Sequence, residues 1–205
     1  MSSAPTREVA KRAFATELSS ATEQFQESDD DRAPKFSLLP TGDKANRVFT
    51  IATVTETEDV GSDTEYWKAR LRDPSGAIYA YAGEYQPDAM AAIKDLDVPE
   101  HVAVTAKLST FETDEGDTLV SLRPESIEVV GETERSRWIE ETARFTLDRI
   151  EAFDDLSNDN EYAERAADSY GDLTDDILDD TIDILRECNW TAAADSVDDE
   201  DGDED

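Results

Sequence analysis

Apolar side chains recur at helical spacing near both ends of the chain and alternate with polar ones between them. The first pattern predicts a helix over Pro5–Phe25, because its apolar residues lie three or four positions apart. The same spacing predicts helices over Glu132–Phe153 and Leu173–Cys188, with a shorter one around Glu161–Tyr170. From Arg47 to Val130 the period is two, which is typical of strands that are buried on one side.

The strand-rich block has a definite order of elements. Three strands are followed by a short helix, PDAMAAIKDL, and then by two more strands. The order β-β-β-α-β-β predicts an OB-fold, a five-stranded Greek-key barrel, here preceded by one helix and followed by a helical module. A small SH3-like barrel is the main alternative, but it has no helix at that place. The predicted strands are RVFTIATVTET, EYWKARLRD, AIYAYAG, HVAVTAKLSTFE and TLVSLRPESIEVV.

Composition shifts along the chain predict five segments. An N-terminal helix occupies residues 1–27, and a lead-in loop rich in turn residues occupies 28–46. The OB-fold domain covers 47–131 and the helical module covers 132–190. Residues 191–205 form an acidic tail, which we expect to be disordered because it lacks an apolar pattern.

The segment Asp73–Gly76, DPSG, carries the residues that a type I turn prefers at its four positions. A hairpin closed by this turn places Arg70 opposite Tyr79 and Lys68 opposite Tyr81, all on one side of the sheet. The other side is apolar and is predicted to face the core. Its members are Trp67, Ala69, Leu71, Ile78, Ala80 and Ala82.

The polar side of this hairpin forms what we call the platform: Lys68, Arg70, Arg72, Tyr79 and Tyr81. Strands two and three of an OB-fold are a surface on which oligonucleotides lie, so the platform predicts single-stranded nucleic-acid binding. Tyrosine rings can stack on bases while the cations meet phosphates. The alternative is a solvated face on which cations and rings contact only one another. On the fourth strand, the alternation of apolar and polar positions predicts that Lys107 and Phe111 also point outward. They extend the predicted nucleic-acid site.

The charge of the chain changes how this platform is interpreted. There are 52 acidic residues against 19 basic ones, a net charge of −33. Such a chain repels nucleic acid in dilute buffer, whereas at about 1 M salt the Debye length falls to about 3 Å and the repulsion is screened. Arginine also outnumbers lysine by about two to one. We therefore expect a halophilic archaeal cytoplasm, and a local cluster of cations becomes informative.

Candidate catalytic chemistry is sparse. One cysteine and one histidine cannot build a zinc site of the usual spacing, and Cys188 lies on an apolar helical stripe. We find no paired nucleophile and base and no phosphate-binding glycine loop, so we expect neither an enzyme nor a cofactor. No apolar run approaches the about 20 residues that span a bilayer, and we expect no membrane partner.

Four segments resemble the haloarchaeal family of proteins associated with replication protein A: LPTGDKANRVF (Leu39–Phe49), TETEDVG leading to Trp67, YAGEYQPDAM (Tyr81–Met90) and SLRPESI (Ser121–Ile127). The resemblance extends from the first helix to about Phe153. It implies an OB-fold accessory subunit or partner of archaeal replication protein A, which meets single-stranded DNA directly or through that partner in replication and repair. A subunit that only assembles the complex, without touching DNA, is the alternative. The resemblance does not identify DNA-contacting residues.

Overall fold

The computed structural model describes residues 8–30, 33–154 and 161–198, with the backbone alone for 153–154 and 189–198. Its strands are β1 (Lys11–Arg12), β2 (Gln24–Gln26), β3 (Lys35–Leu38), β4 (Lys44–Ala45), β5 (Val48–Asp59), β6 (Trp67–Arg72), β7 (Ala77–Ala82), β8 (Glu100–Glu112) and β9 (Thr118–Val129). Its helices are α1 (Ala15–Ser20), α2 (Pro87–Asp95), α3 (Glu132–Asp154), α4 (Glu161–Tyr170) and α5 (Leu173–Asp198).

The five strands from β5 to β9 close into a barrel. Their order is β5-β6-β7-β9-β8, and β8 also pairs with β5. Strand β7 runs parallel to β9, whereas the other barrel pairs are antiparallel. With α2 between the third and fourth barrel strands, this is the topology of an OB-fold, and the predicted fold class is confirmed.

The barrel interior is filled by the inward residues of the alternating pattern. On β6 and β7 the apolar side points inward, and Ala69, Leu71, Ile78, Ala80 and Ala82 are buried as predicted. They pack against the inward residues of β5, β8 and β9 and against Ile93 of α2. The alternation therefore leaves the opposite side of β6 and β7 on the outer surface of the barrel.

The hairpin register is confirmed pair by pair. Lys68 lies opposite Tyr81 and Arg70 opposite Tyr79. The turn is fixed by the Asp73 carboxylate, which accepts hydrogen bonds from the Ser75 N–H (2.9 Å) and, in the first turn of α1, from the Ala15 N–H (2.6 Å). Burial raises the pKa of Asp73, and the hydrogen bonds oppose that effect. The turn that closes β6 and β7 thus also holds the N-terminal segment.

The N-terminal helix is shorter than predicted. Instead of Pro5–Phe25, the helix covers only Ala15–Ser20, with β1 before it and β2 after it. Lys11 and Arg12 pair with β5 in parallel, so sheet pairing replaces the helix that the apolar spacing favours. The buried apolar residues of this segment do not share one helical face but pack in two separate clusters: Ala13, Ala15, Leu18 and Ala21 in one, and Phe14 in the other.

The lead-in segment 28–46 is also more ordered than the predicted loop. Strands β2, β3 and β4 form a separate antiparallel sheet, with Phe25 opposite Phe36 and Ser37 opposite Ala45. Helix α4 packs against this sheet: the Tyr162 ring stacks on Phe25 with centroids 5.8 Å apart. The turn residues of PTGDKAN therefore connect strands rather than form a free linker.

The helical module packs on the outer face of β5 and β8. Trp138 and Ile139 of α3 and Ile184 of α5 cluster with Ile51 of β5 and Phe14. Phe49, Ala103, Val130, Leu185 and Cys188 border the same cluster. Part of each predicted amphipathic stripe, including Trp138 and Leu185, therefore packs on the barrel, and Cys188 borders the same core as its position on the stripe predicted.

A buried ion pair joins this module to the N-terminal segment. Glu17 of α1 is 1% exposed and accepts a hydrogen bond from Arg149 Nη2 of α3 at 2.6 Å. Thr41 Oγ1 donates to the same carboxylate at 2.6 Å, and Arg149 Nη1 donates to the Arg12 carbonyl at 3.1 Å. Helix α3, α1 and the lead-in segment are thus fixed to one another.

Helix α5 continues beyond the predicted end of the module. Its backbone is helical through Asp198, so the segment 191–198, expected to belong to a disordered tail, extends the helix. Residues 199–205 of the predicted tail lie outside the described residues, as does the side chain of Phe153. Among the helices described, none is both long enough and apolar enough to cross a membrane.

Candidate nucleic-acid interface

The platform lies on the outer side of β6 and β7, which no helix within the described ranges covers. Tyr79 and Tyr81 line a groove of about 540 Å³ together with Tyr66, just before β6, and with Phe111 and Leu119. We call these five residues the aromatic groove. Phe111 of β8 and Leu119 of β9 lie directly opposite each other beside the β8–β9 turn. The groove therefore runs from the β6–β7 hairpin to the far ends of β8 and β9.

The groove exposes several large apolar side chains. The exposed fractions are 45% for Tyr66, 39% for Tyr79, 68% for Phe111 and 57% for Leu119. Contiguous apolar surface of this kind on a protein marks a site of interaction more often than an isolated exposed residue does. Each aromatic ring also offers a flat face on which a base can stack.

Tyr66 is positioned by the loop between β5 and β6. The Asp59 carboxylate accepts hydrogen bonds from the Tyr66 N–H (3.1 Å) and the Gly61 N–H (3.0 Å), and these bonds lower the pKa of Asp59. The Tyr66 ring then stacks on Tyr81 with centroids 5.8 Å apart and planes at 19°. A Cβ at position 83 would lie 2.7 Å from Tyr66 Cδ2, so Gly83 permits this ring position.

Two of the three platform cations, Lys68 and Arg70, are paired with acidic residues of β5. Glu58 lies opposite Lys68 in the β5–β6 ladder and binds it at 2.8 Å, and Glu56 lies opposite Arg70 and binds it at 3.4 Å. The hydrogen bond to Glu58 raises the pKa of Lys68. Lys68 Nζ also lies 5.8 Å from the centroid of the Tyr79 ring. Much of the positive charge of the platform is therefore neutralised on the barrel itself.

The predicted site residues do not all come together. Tyr79, Tyr81 and Phe111 line the groove, and Lys68 and Arg70 flank the tyrosines across the hairpin. Arg72 is exposed at the hairpin end, opposite Ala77, whose atoms also line the groove. Lys107 lies apart, beside Arg123 in a hollow next to α2.

Sequence reasoning missed Tyr66, Leu119 and both glutamates. Tyr66 has the same parity as Lys68, so its direction was available from the sequence. The glutamates required the register of β5 against β6, which shifts at an irregularity between Val54 and Glu56. Such a bulge has no reliable signature in an alternating run, because it changes which residues lie opposite each other without changing the composition.

No protein-family model and no curated protein matches the chain. Solved structures with similar folds include an OBody bound to hen egg-white lysozyme, which aligns with 42% of this chain and 77% of its own at 15% identity and a TM-score of 0.34. The mitochondrial single-stranded DNA-binding protein Rim1 of S. cerevisiae aligns with 41% of this chain and 91% of its own, at 19% identity and a TM-score of 0.30. Asparaginyl-tRNA synthetase from Pyrococcus horikoshii aligns with 52% of this chain and 30% of its own, at 16% identity and a TM-score of 0.33. Likenesses this weak carry no argument about function, and the OB-fold assignment rests on the strand order itself.

Proposed function

We propose that the chain is an accessory OB-fold protein of archaeal replication protein A that binds single-stranded DNA, without catalysing a reaction, through the aromatic groove. The observation that carries this proposal is the row of exposed rings, Tyr66, Tyr79 and Phe111, on a barrel whose opposite face is covered. The sequence resemblance to proteins associated with replication protein A supports the choice of partner, and a halophilic archaeal cytoplasm is part of the same proposal.

Stacking rather than charge supplies the affinity in this proposal. The net charge of −33 opposes an approaching polyanion, and Lys68 and Arg70 are already paired with glutamates. Affinity from phosphate contacts also falls with log[salt] at a slope of about −0.7 per contact on single strands. Base stacking, at about 1–3 kcal/mol per base by alanine substitution, does not depend on charge.

The test compares two sets of substitutions in fluorescence anisotropy titrations with a labelled oligonucleotide. The protein is measured alone and with replication protein A across a salt series. We expect Tyr79→Ala with Tyr81→Ala to weaken binding about tenfold or more at high salt. Replacing Lys68, Arg70 and Arg72 with glutamine matters less there and more as the salt is lowered. Phe145→Ala, at an exposed ring of α3, is the matched control.

The paired cations also support a second function, that of an assembly subunit which does not contact DNA. A barrel whose Lys68 and Arg70 are satisfied by Glu58 and Glu56 is also suited to a subunit that binds only protein. If the tyrosine substitutions and the cation substitutions both leave oligonucleotide binding unchanged at every salt while circular dichroism shows a folded protein, this assembly role replaces the DNA-binding role. Loss of replication protein A capture by the tyrosine variant would then place that partner in the groove.

A further inference from the structure

Lys107 and Arg123 are neighbouring cations on the outer side of the barrel. They lie directly opposite each other on β8 and β9. Neither forms an ion pair with any residue within the described ranges, whereas Lys68, Arg70 and Arg149 are all paired there. Lys35 and Arg72 also form no ion pair there, but the residues opposite them, Gln26 and Ala77, are uncharged. Lys107 and Arg123 instead face each other, in a chain with 52 acidic residues.

These two cations line a hollow of about 370 Å³ between the β8–β9 ladder and the start of α2. Tyr85 lines the same hollow and is 85% exposed. Two carboxylates are also present: Asp88, in the first turn of α2, and Glu125, which Arg47 binds through Nη2 at 3.0 Å. Because Arg47 balances the charge of Glu125, Asp88 is the carboxylate left to oppose Lys107 and Arg123 in this lining. The hollow therefore carries an excess of one positive charge.

The hollow lies in line with the aromatic groove. Outward residues alternate along both strands, from Phe111 and Leu119 in the groove, past Ser109 and Ser121, to Lys107 and Arg123. Four residues of strand span about 13 Å. A single strand of DNA whose bases stack in the groove can therefore place a phosphate further along its backbone between the two cations, without leaving this side of the barrel.

We propose that the hollow formed by Tyr85, Lys107 and Arg123 is a second nucleic-acid site, which binds a backbone phosphate of single-stranded DNA between the cations and a base on Tyr85. The inference rests on the proposed function and adds to it the path of the strand: along β8 and β9 towards α2, rather than across the paired cations of β6. Arginine and lysine are the side chains best suited to hold a phosphate, and a free phenol ring beside them can stack on the attached base.

The first test uses oligonucleotide length. An OB-fold covers about 4–16 nucleotides, so oligothymidylates of about 4 and about 16 nucleotides separate the groove from the longer path. We expect Lys107→Gln with Arg123→Gln to weaken binding of the long oligonucleotide about threefold to tenfold at moderate salt, and to leave the short one unchanged. The salt slope for the long oligonucleotide falls in magnitude by about 1.4, which is the loss of two phosphate contacts.

The matched control is Lys35→Gln with Arg186→Gln. It removes one lysine and one arginine charge, as the test variant does, but from β3 and α5. The control should bind both oligonucleotides like the unaltered protein, apart from a small change in general electrostatics. Equal losses in the two variants, or an unchanged salt slope in the test variant, would overturn the proposal.

The second test does not depend on the groove. Thymidine 3′,5′-bisphosphate is titrated into the full-length protein while amide resonances are followed by NMR. We expect saturable shifts at Tyr85, Lys107 and Arg123 that disappear in the Lys107→Gln, Arg123→Gln variant and persist in the control. No saturable shift at these amides in the unaltered protein would reject the hollow as a site, whatever the tyrosine substitutions show about the groove.

Discussion

Two outer faces of the barrel carry large apolar side chains: that of β5 with the first half of β8, and that of β6 and β7 with the residues beside the β8–β9 turn. Among the residues that the structure describes, helices cover only the first face. Ile51 lies under Trp138 and Ile139, which are 3% and 6% exposed. Tyr79 and Phe111, on the other side, remain open to solvent. The helical module thus covers one face, and the large side chains of the other face remain exposed.

The ion pairs at the two faces also differ in their exposure to solvent. Between the covered face and the N-terminal segment, Arg149 meets Glu17 away from solvent, so this pair fixes one arrangement of the chain. On the open face, Lys68 and Arg70 meet Glu58 and Glu56 where water competes for both partners. Exposed pairs of this kind contribute little to stability. They instead reduce the positive charge that the open face presents to solvent.

The largest expected effect comes from opening the covered face. Trp138→Ala removes a buried ring that contacts Phe14 edge to face, with centroids 5.4 Å apart. We expect the free energy of unfolding to fall by about 3–5 kcal/mol in a urea titration. Tyr79→Ala, on the open face, is the control and should cost far less. Similar losses at the two positions would show that the open face is also part of the stabilising core.

Breaking the buried ion pair should have the next largest effect. Arg149→Met leaves Glu17 buried without its cation, and we expect a loss of about 3 kcal/mol or more. Glu17→Gln in the same protein removes the stranded charge, so the double variant should be more stable than the sum of the single losses predicts. Strictly additive losses in urea titrations would mean that the two side chains do not interact as described.

A smaller effect is expected from Gly83→Ala, which sharpens the description of the open face. The new methyl group would displace the half-exposed Tyr66 ring from its stack on Tyr81. Oligonucleotide affinity measured by anisotropy should fall a few-fold, with little change in melting temperature because the ring can swing into solvent. Gly131→Ala is the control, since its methyl group meets only the flexible carboxylate of Glu134. Unchanged affinity would exclude Tyr66 from the binding surface.

The smallest effect is expected at the acidic partners of the platform. Glu56→Gln with Glu58→Gln frees Arg70 and Lys68 and removes two negative charges, so oligonucleotide affinity should rise about two- to threefold at the lower end of the salt series. The gain should vanish as salt is added. Glu151→Gln with Glu164→Gln makes the same charge change on exposed positions of α3 and α4. An equal gain in that control would show a general effect of net charge.

The barrel was predictable because its signals are local. The DPSG turn set the register of β6 and β7, and the alternation along these strands separated core from surface. The groove was only partly predictable: Tyr79, Tyr81 and Phe111 meet there, but Lys107 does not. Parity places a residue on the outer side of a strand, whereas its neighbours depend on where along the strand it lies and on how the strands are staggered.

The N-terminal segment was not predictable from periodicity, because its structure comes from distant partners. Lys11 and Arg12 pair with β5, and Ala15 is held by Asp73. These contacts override a spacing that favours one long helix. Likewise, the sheet formed by β2, β3 and β4 is packed against α4, which lies more than a hundred positions later in the sequence.

This dependence of the N-terminal segment on later residues has a consequence for synthesis on the ribosome. The Ala15 N–H bonds to Asp73, 58 positions downstream, and Glu17 pairs with a cation 132 positions downstream. The Glu23 N–H bonds to the Tyr170 hydroxyl, 147 positions downstream. Translation proceeds from the N-terminus, so the first segment to emerge is among the last to find its partners. Contacts of such long range are closed slowly. We therefore expect the barrel to form first during translation and the N-terminal residues to lock the molecule only after the helical module has left the ribosome.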